Sequence, residues 1–296
     1  MGVGSDAEVA DLVEAGAVLE QVATGFLFTE GPIWCDGGLL FSDMPSDKRR
    51  RWTPEGGVEV VRDPCNRCNG MTLDDDGGLI VCEHNTSVVV RERPDGTREI
   101  VASHYEGKEL NSPNDVIVAR DGSIVFTDPT YGRTVEAAGL LRPLELGFQG
   151  VYRIAPDGGL ELLADDFEQP NGLCLSADEQ LLYVNDTTRG HVRVFERGSD
   201  WQLRNGRVFA HVGGDGEVGQ PDGMKLDERG NVYVTGPGGV VVFAPSGERI
   251  GLIEVPEVVG NLNWGDADYR TLYLAASSSI YRLRMAVAGN RVGYMA

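Results

Sequence analysis

A short pattern occurs six times along the chain, and it restricts the fold more than any other feature of the sequence. Each copy begins with a polar residue: Glu30 (EGPIWCDGGLLFSD), Asn69 (NGMTLDDDGGLIVCE), Asn114 (NDVIVARDGSIVFTD), Asn171 (NGLCLSADEQLLYVND), Asp222 (DGMKLDERGNVYVTG) and, more weakly, Asn261 or Asn263 (NLNWGDADYRTLYLA). An apolar strand, an Asp/Gly-rich turn and a second strand follow, which is the pattern of a β-hairpin. Such self-similarity indicates a repeat architecture.

Further alternating segments follow most hairpins, so that one unit contains four strands in roughly 40–55 residues, the size of a propeller blade. Six units account for nearly all of the 296 residues. The sequence therefore predicts an all-β fold, a single six-bladed β-propeller over residues 17–296 that follows an N-terminal arm of residues 1–16. The segment 17–22 is predicted to close the ring against the last blade. The long interval 128–150 is typical of a loop that covers a binding site.

The six polar residues are expected to converge at one end of the central channel, because the innermost strand of each blade lines that channel. Every one of these side chains ends in oxygen, which hard cations such as Ca²⁺ prefer, and none is the Cys or His that softer metals select. Without a cation, facing buried acids would be costly. The sequence thus predicts a metal-binding channel. A turn-forming role remains an alternative for each Asn-Gly pair, whereas Glu30 is unusual in a turn.

The five cysteines are odd in number and occur in a large chain, so a disulfide framework is not expected. Cys65 and Cys68 form a CxxC pattern that lacks the second ligand pair of a zinc site. We interpret them as structural residues, and the sequence leaves open whether they form a disulfide.

A net charge of −20 argues against partners that need a basic surface, which excludes nucleic acids and anionic membrane surfaces. No apolar run approaches the length of a membrane span. The N-terminal residues lack the basic and apolar regions of a signal peptide, so a cytoplasmic location is expected. The sequence does not indicate an oligomeric state.

The motifs FTEGPIW, NSPNDVIV, FTDPTYG, QPNGLCLS and QPDGMKLD resemble those of the gluconolactonase group in the regucalcin (senescence marker protein)/luciferin-regenerating enzyme family. The resemblance covers about residues 17–285. It implies a six-bladed propeller that holds one divalent ion, usually Ca²⁺, with Mg²⁺, Mn²⁺ or Zn²⁺ as other candidates. The activity that it implies is hydrolysis of sugar lactones, so the expected partner is a small-molecule lactone.

The same resemblance implies roles for individual residues. Glu30, Asn171 and Asp222 match the metal ligands of the family, and Asp222 also matches the residue usually assigned as the base. Asn114 matches a residue that completes the metal site or holds the substrate. Ser112 stands where regucalcin carries an Arg that contacts a sugar hydroxyl. Because metal binding lowers the pKa of a carboxylate, Asp222 is expected either to deprotonate the attacking water or to orient it.

Further substrate contacts are predicted from the residues themselves. Asn69, Asn111 and Asn114 are expected to hydrogen-bond the hydroxyls or the carbonyl of the lactone. His84 follows a channel-side hairpin and either reaches the site or is a structural residue. Tyr131 is expected to cover the substrate from the long loop.

Two other functions remain open at this point. A phosphotriesterase would use the same ring of oxygen ligands, and a non-catalytic propeller would bind calcium or a partner protein through its rims.

Overall fold

The computed structural model describes residues 7–213 and 218–291, and nearly all of its regular structure is β. Two four-residue helices are present, α1 (Ala7–Ala10) and α2 (Tyr131–Thr134), together with a 3-10 turn at Met44–Ser46. None of the described helices is long and apolar enough to cross a membrane.

The strands form six four-stranded sheets and one small hairpin. The first strand is β1 (Glu20–Thr24). Blade 1 contains β2 (Thr29–Cys35), β3 (Gly38–Asp43), β4 (Lys48–Thr53) and β5 (Gly57–Arg62). Blade 2 contains β6 (Cys68–Leu73), β7 (Leu79–Glu83), β8 (Val88–Glu92) and β9 (Arg98–Ala102), and the hairpin β10 (His104–Tyr105) and β11 (Lys108–Glu109) follows it. Blade 3 contains β12 (Val116–Val118), β13 (Ile124–Asp128), β14 (Gln149–Ile154) and β15 (Leu160–Phe167).

The remaining blades have the same meander. Blade 4 contains β16 (Pro170–Leu175), β17 (Leu181–Asp186), β18 (His191–Arg197) and β19 (Leu203–His211). Blade 5 contains β20 (Met224–Leu226), β21 (Val232–Gly236), β22 (Gly239–Phe243) and β23 (Arg249–Glu254). Blade 6 contains β24 (Val259–Gly265), β25 (Thr271–Ala276) and β26 (Ser279–Arg284).

The ring is closed by β1, which supplies the fourth strand of blade 6 by pairing antiparallel with β26. The strand begins at Glu20, three residues after the start of the predicted closing segment. The six inner strands β2, β6, β12, β16, β20 and β24 contact one another in a closed cycle. The structure therefore confirms the six-bladed β-propeller.

The glycine that follows most of the repeated polar residues allows neighbouring inner strands to approach closely. A Cβ at Gly172 would overlap the carbonyl oxygen of Asp222 in the next blade, and the Gly172 N–H donates to that oxygen at 2.8 Å. Asn69 and Asn171 and their glycines lie inside β6 and β16. The turn-forming alternative is therefore wrong for these two pairs, since the glycine serves the contact between blades.

Apolar side chains fill the space between neighbouring blades. In the part of the chain that the structure describes, one buried cluster lies at each of the six blade interfaces. Trp34 of blade 1, for example, stacks on Tyr273 of blade 6 at 5.1 Å between ring centroids. Cys65 and Cys68 are free thiols buried in the cluster between blades 1 and 2, as expected for structural residues.

The N-terminal arm is packed on the propeller over its described part. Val9, Leu12 and Val13 are buried in the cluster between blades 5 and 6. The carbonyl oxygen of Leu12 accepts a hydrogen bond from Ala286. Residues 1–6 of the predicted arm lie outside the described residues.

Candidate active site

A cavity of about 350 Å³ opens at the end of the channel where the inner strands begin. It is lined by seven of the eight predicted site residues: Glu30, Asn69, His84, Asn114, Tyr131, Asn171 and Asp222. The side chain of Asn261 bonds to the carboxylate of Glu30, whereas the Asn263 amide donates to the carbonyl oxygen of Pro32 at 2.8 Å. Asn261 is therefore the sixth member of the ring.

Two carboxylates meet in this ring. Glu30 is buried, Asp222 is half-buried beside the cavity, and their side chains are within hydrogen-bonding reach of each other. Burial raises the pKa of Glu30 from 4.5 to about 7, with repulsion from Asp115 adding to the rise and the Gly31 N–H opposing it. Removal from water also raises the pKa of Asp222, and repulsion from Glu30 and Asp115 raises it further. The pair is thus unfavourable in its fully ionised form unless a cation lies beside it.

Asn171 presents an oxygen to the same ring. Its Nδ2 donates to Thr187 Oγ1 at 3.1 Å, and the Thr187 hydroxyl donates to the Pro221 carbonyl oxygen at 2.7 Å. The amide group is therefore fixed with its NH₂ toward Thr187. Among the hydrogen bonds of the described residues, none is made by the buried Oδ1 of Asn171, and the Asn171 side chain is within hydrogen-bonding reach of the Asp222 carboxylate.

His84 fixes the orientation of Asn69 in a similar way. His84 Nδ1 lies 3.0 Å from the carbonyl oxygen of Ala138, which only accepts, so Nδ1 carries the proton. Burial lowers the pKa of His84 to about 4, so the ring is neutral at pH 7 and Nε2 accepts from Asn69 Nδ2 at 3.2 Å. Asn69 Oδ1 is left buried, and no hydrogen-bonding partner for it is found in residues 7–213 and 218–291.

These oxygen atoms fit a hard divalent cation. Within the described residues, no group of three or more His, Cys, Asp or Glu side chains could hold a metal ion. A metal at this ring would therefore have two charged ligands, Glu30 and Asp222, and would take its other ligands from amide oxygens and water. Such a cation would give the unpaired Oδ1 of Asn171 a partner. It would also stabilise the ionised forms of Glu30 and Asp222, whose pKa values are raised in its absence.

Asp115 is a third carboxylate near the ring, and the sequence did not predict its role. It is buried next to Asn114, raises the pKa of both ring carboxylates, and lies 3.7 Å from the ammonium group of Lys225. A signal was available, because Asp115 takes the place that glycine has after the polar residue in four other copies of the repeat. Thr187 was also missed, and it lies after β17 in a turn that no motif marks.

Asn111 is the predicted site residue that the structure does not bring to the cavity. Its Nδ2 donates to the carbonyl oxygens of Asp128 and Phe148, at 3.2 and 3.0 Å, so it holds the two ends of the long loop together. Tyr131, in contrast, borders the cavity from α2, and its hydroxyl bonds to Thr187.

The long loop is held against the segment that links blades 2 and 3 by the buried guanidinium of Arg133. It donates to the carbonyl oxygens of Leu110 at 2.6 Å, Asn111 at 2.7 Å and Pro143 at 2.7 Å, and it pairs with Glu109. The loop is therefore fixed in place as one wall of the cavity.

We expect the Arg133→Met variant to lose about 3 kcal/mol of its free energy of unfolding, because buried acceptors and Glu109 would lose their donor. Urea denaturation followed by tryptophan fluorescence measures this loss. Arg204→Met is the control, since Arg204 forms an exposed ion pair with Asp200, and it should unfold like the wild type. Equal stability of the two variants would contradict the anchoring role of Arg133.

Comparison with known proteins identifies the family of this chain. The family model described as the SMP-30/Gluconolactonase/LRE-like region matches residues 28–278. The chain is 33% identical to the gluconolactonase of Zymomonas mobilis, over 94% of this chain and 84% of that protein.

Solved structures show the same architecture. A gluconolactonase from Xanthomonas campestris is 34% identical and superposes with a TM-score of 0.88, covering 96% of this chain and 94% of the other. The calcium-binding protein regucalcin of Agrobacterium tumefaciens shares the fold at 18% identity, with a TM-score of 0.76 over 93% and 96% of the two chains. The chain belongs to the SMP-30/gluconolactonase/LRE-like family.

Proposed function

We propose that this protein hydrolyses lactones, with sugar lactones such as gluconolactone as the first substrates to test. We further propose that it depends on a divalent ion, Ca²⁺ in the first place, held by Glu30, Asn171 and Asp222. The observation that carries the proposal is the ring in which two mutually repelling carboxylates and an orphaned amide oxygen border one cavity. The gluconolactonase names of the relatives support the reaction, and the description of regucalcin as calcium-binding supports the ion.

The reaction adds water to the lactone carbonyl carbon and breaks the ring C–O bond, which yields a hydroxy acid. When bound, a divalent ion would polarise the carbonyl and stabilise negative charge on its oxygen. Asp222, at the edge of the cavity, orients the attacking water and accepts its proton, and the ring oxygen of the lactone receives a proton as it leaves.

Other side chains of the cavity bind and orient the substrate. Asn69 Oδ1 accepts a hydrogen bond from a substrate hydroxyl, and its orientation for this is fixed by His84. Asn114 borders the cavity between Asn69 and Asn171 and completes the ring on that side. Tyr131 covers the substrate, and its hydroxyl remains protonated because burial raises its pKa.

A lactone panel with and without chelator tests the proposal. Hydrolysis of glucono-δ-lactone should fall by about 100-fold or more in chelator and return when Ca²⁺ is added. Faster turnover of phosphotriesters than of any lactone would instead favour a phosphotriesterase. Calcium binding without turnover of either substrate class would favour a non-catalytic propeller.

A further inference from the structure

The wall of the cavity above the ring has one apolar side. Phe28 and Met44 lie next to strands of blade 1, and Val258 and Val259 lie at the start of blade 6, so these four lining side chains form an apolar arc at one blade interface. Polar side chains lie on the other side of the cavity, where Tyr131 and Thr187 border it. A polyhydroxylated ring would find no hydrogen-bonding partner among the side chains of the apolar arc.

Exposed apolar residues adjoin some of the lining residues in the sequence. Leu27, beside Phe28, is 64% exposed, and Val258 itself is 36% exposed. Leu140 and Leu141 follow the lining residue Ala138 closely in the long loop and are 62% and 55% exposed. Single exposed apolar residues are common on protein surfaces, so the preference for an apolar ligand is inferred from the four lining side chains.

The described lining of the cavity contains no cationic side chain. In the described ranges 7–213 and 218–291, no Lys or Arg side chain lines the cavity. Arg67 and Arg142 lie close enough to His84 to lower its pKa, but neither lines the cavity. Lys225, whose charge lowers the pKa of Glu30, does not line it either and pairs with Asp115. Residues 1–6, 214–217 and 292–296 contain no Lys or Arg either. An anionic substituent would therefore be removed from water beside two carboxylates, and no Lys or Arg among the described lining residues would pair with it.

We propose that the cavity takes uncharged lactones that carry an alkyl or aryl substituent, and that it rejects lactones bearing phosphate, sulfonate or carboxylate. The lactone carbonyl faces the ring of oxygen ligands, and the substituent lies on the apolar arc formed by Phe28, Met44, Val258 and Val259. The bonds made and broken are those of lactone hydrolysis, so this inference rests on the proposed function and adds a substrate class to it.

The test compares δ-valerolactone with δ-lactones that carry progressively longer 5-alkyl chains, using the calcium-loaded wild-type protein. We expect kcat/KM to rise about fourfold per methylene over the first few carbons, since each buried methylene favours binding by this factor. Between glucono-δ-lactone and its 6-phosphate, we expect kcat/KM to be at least about 50-fold lower for the phosphorylated compound.

Val258→Thr tests the apolar arc at nearly constant volume. It should lower kcat/KM several-fold for the longest alkyl lactone and lower it less for δ-valerolactone, so that the ratio of kcat/KM between the two substrates falls. Val60→Thr is the matched control, because Val60 is 46% exposed on the outer strand β5 and should leave the values for both substrates unchanged.

The outcomes distinguish a failure of the proposed substrate class from a failure of the proposed lactonase activity. Hydrolysis of glucono-δ-lactone with no gain from alkyl chains, or with equal turnover of the 6-phosphate, would overturn the inference and leave the lactonase proposal standing. Failure to hydrolyse any lactone in the panel would overturn both.

Discussion

The Asp222→Asn variant should fold like the wild type and hydrolyse lactones about 10²- to 10⁴-fold more slowly, the range expected for the loss of a positioned proton acceptor. Asparagine keeps the volume of the side chain, and the backbone contacts of residue 222 do not involve the carboxylate. The Asp222 N–H bonds to Thr235 Oγ1 at 2.9 Å, and its carbonyl oxygen accepts from Gly172 at 2.8 Å. The change therefore removes charge and basicity without removing a backbone contact of residue 222.

Two readouts separate the roles of Asp222. Steady-state kinetics at saturating Ca²⁺ measures its action on the attacking water, and calorimetric titration of the metal-free protein measures its contribution to ion binding. We expect both to change, since the carboxylate would lose its charge beside Glu30.

Asp75→Asn is the matched control for this variant, because Asp75 is exposed in the turn between β6 and β7. It should match the wild type in both kinetics and calcium affinity. Wild-type turnover in Asp222→Asn would remove the residue from the mechanism. Lost turnover with unchanged calcium affinity would leave it as a base that does not bind the ion.

The repeat made the fold predictable because each blade repeats the same local rules of strand and turn. The same repeat also indicated the convergence of Glu30, Asn171 and Asp222, which are distant in the sequence, since residues at equal positions in the blades of a closed ring face the same axis. The pattern did not reveal why a glycine follows most of the repeated polar residues. Gly172 resembles a turn residue in the sequence, but it lies in a strand where a neighbouring blade leaves no room for a Cβ.

Residues whose role depends on contacts outside the repeat were harder to predict. Asn111 and Asn114 are three positions apart and chemically alike, yet Asn114 borders the cavity while Asn111 binds the loop through Phe148. His84 borders the cavity, which is one of the two roles that the sequence left open, and its contact with the carbonyl oxygen of Ala138 comes from the irregular loop. No local periodicity reports such a contact, because it depends on how a non-repeated segment packs.

The stability of the metal-free protein should fall as pH rises from about 4.5 to about 7. In the unfolded chain, Glu30 ionises with its ordinary pKa of 4.5, whereas burial raises the folded value to about 7. Between these values the unfolded chain releases a proton that the folded protein retains, so rising pH favours unfolding. The difference between the folded and unfolded pKa values corresponds to about 3 kcal/mol of the free energy of unfolding, which belongs to the Glu30–Asp222 pair as a whole. This stabilisation is fully lost above the folded pKa.

Calcium should reverse this trend, since it binds the ionised pair and not the protonated one. Scanning calorimetry in chelator should give a lower Tm at pH 7.5 than at pH 5, and saturating Ca²⁺ should raise Tm much more at pH 7.5 than at pH 5. Glu30→Gln should flatten the pH dependence in chelator, because glutamine stays neutral throughout, and should lose most of the stabilisation by Ca²⁺. A chelated wild-type protein whose Tm does not fall between pH 5 and pH 7.5 would show that the two acids do not face each other away from water, and the cation site built on them would fail with that result.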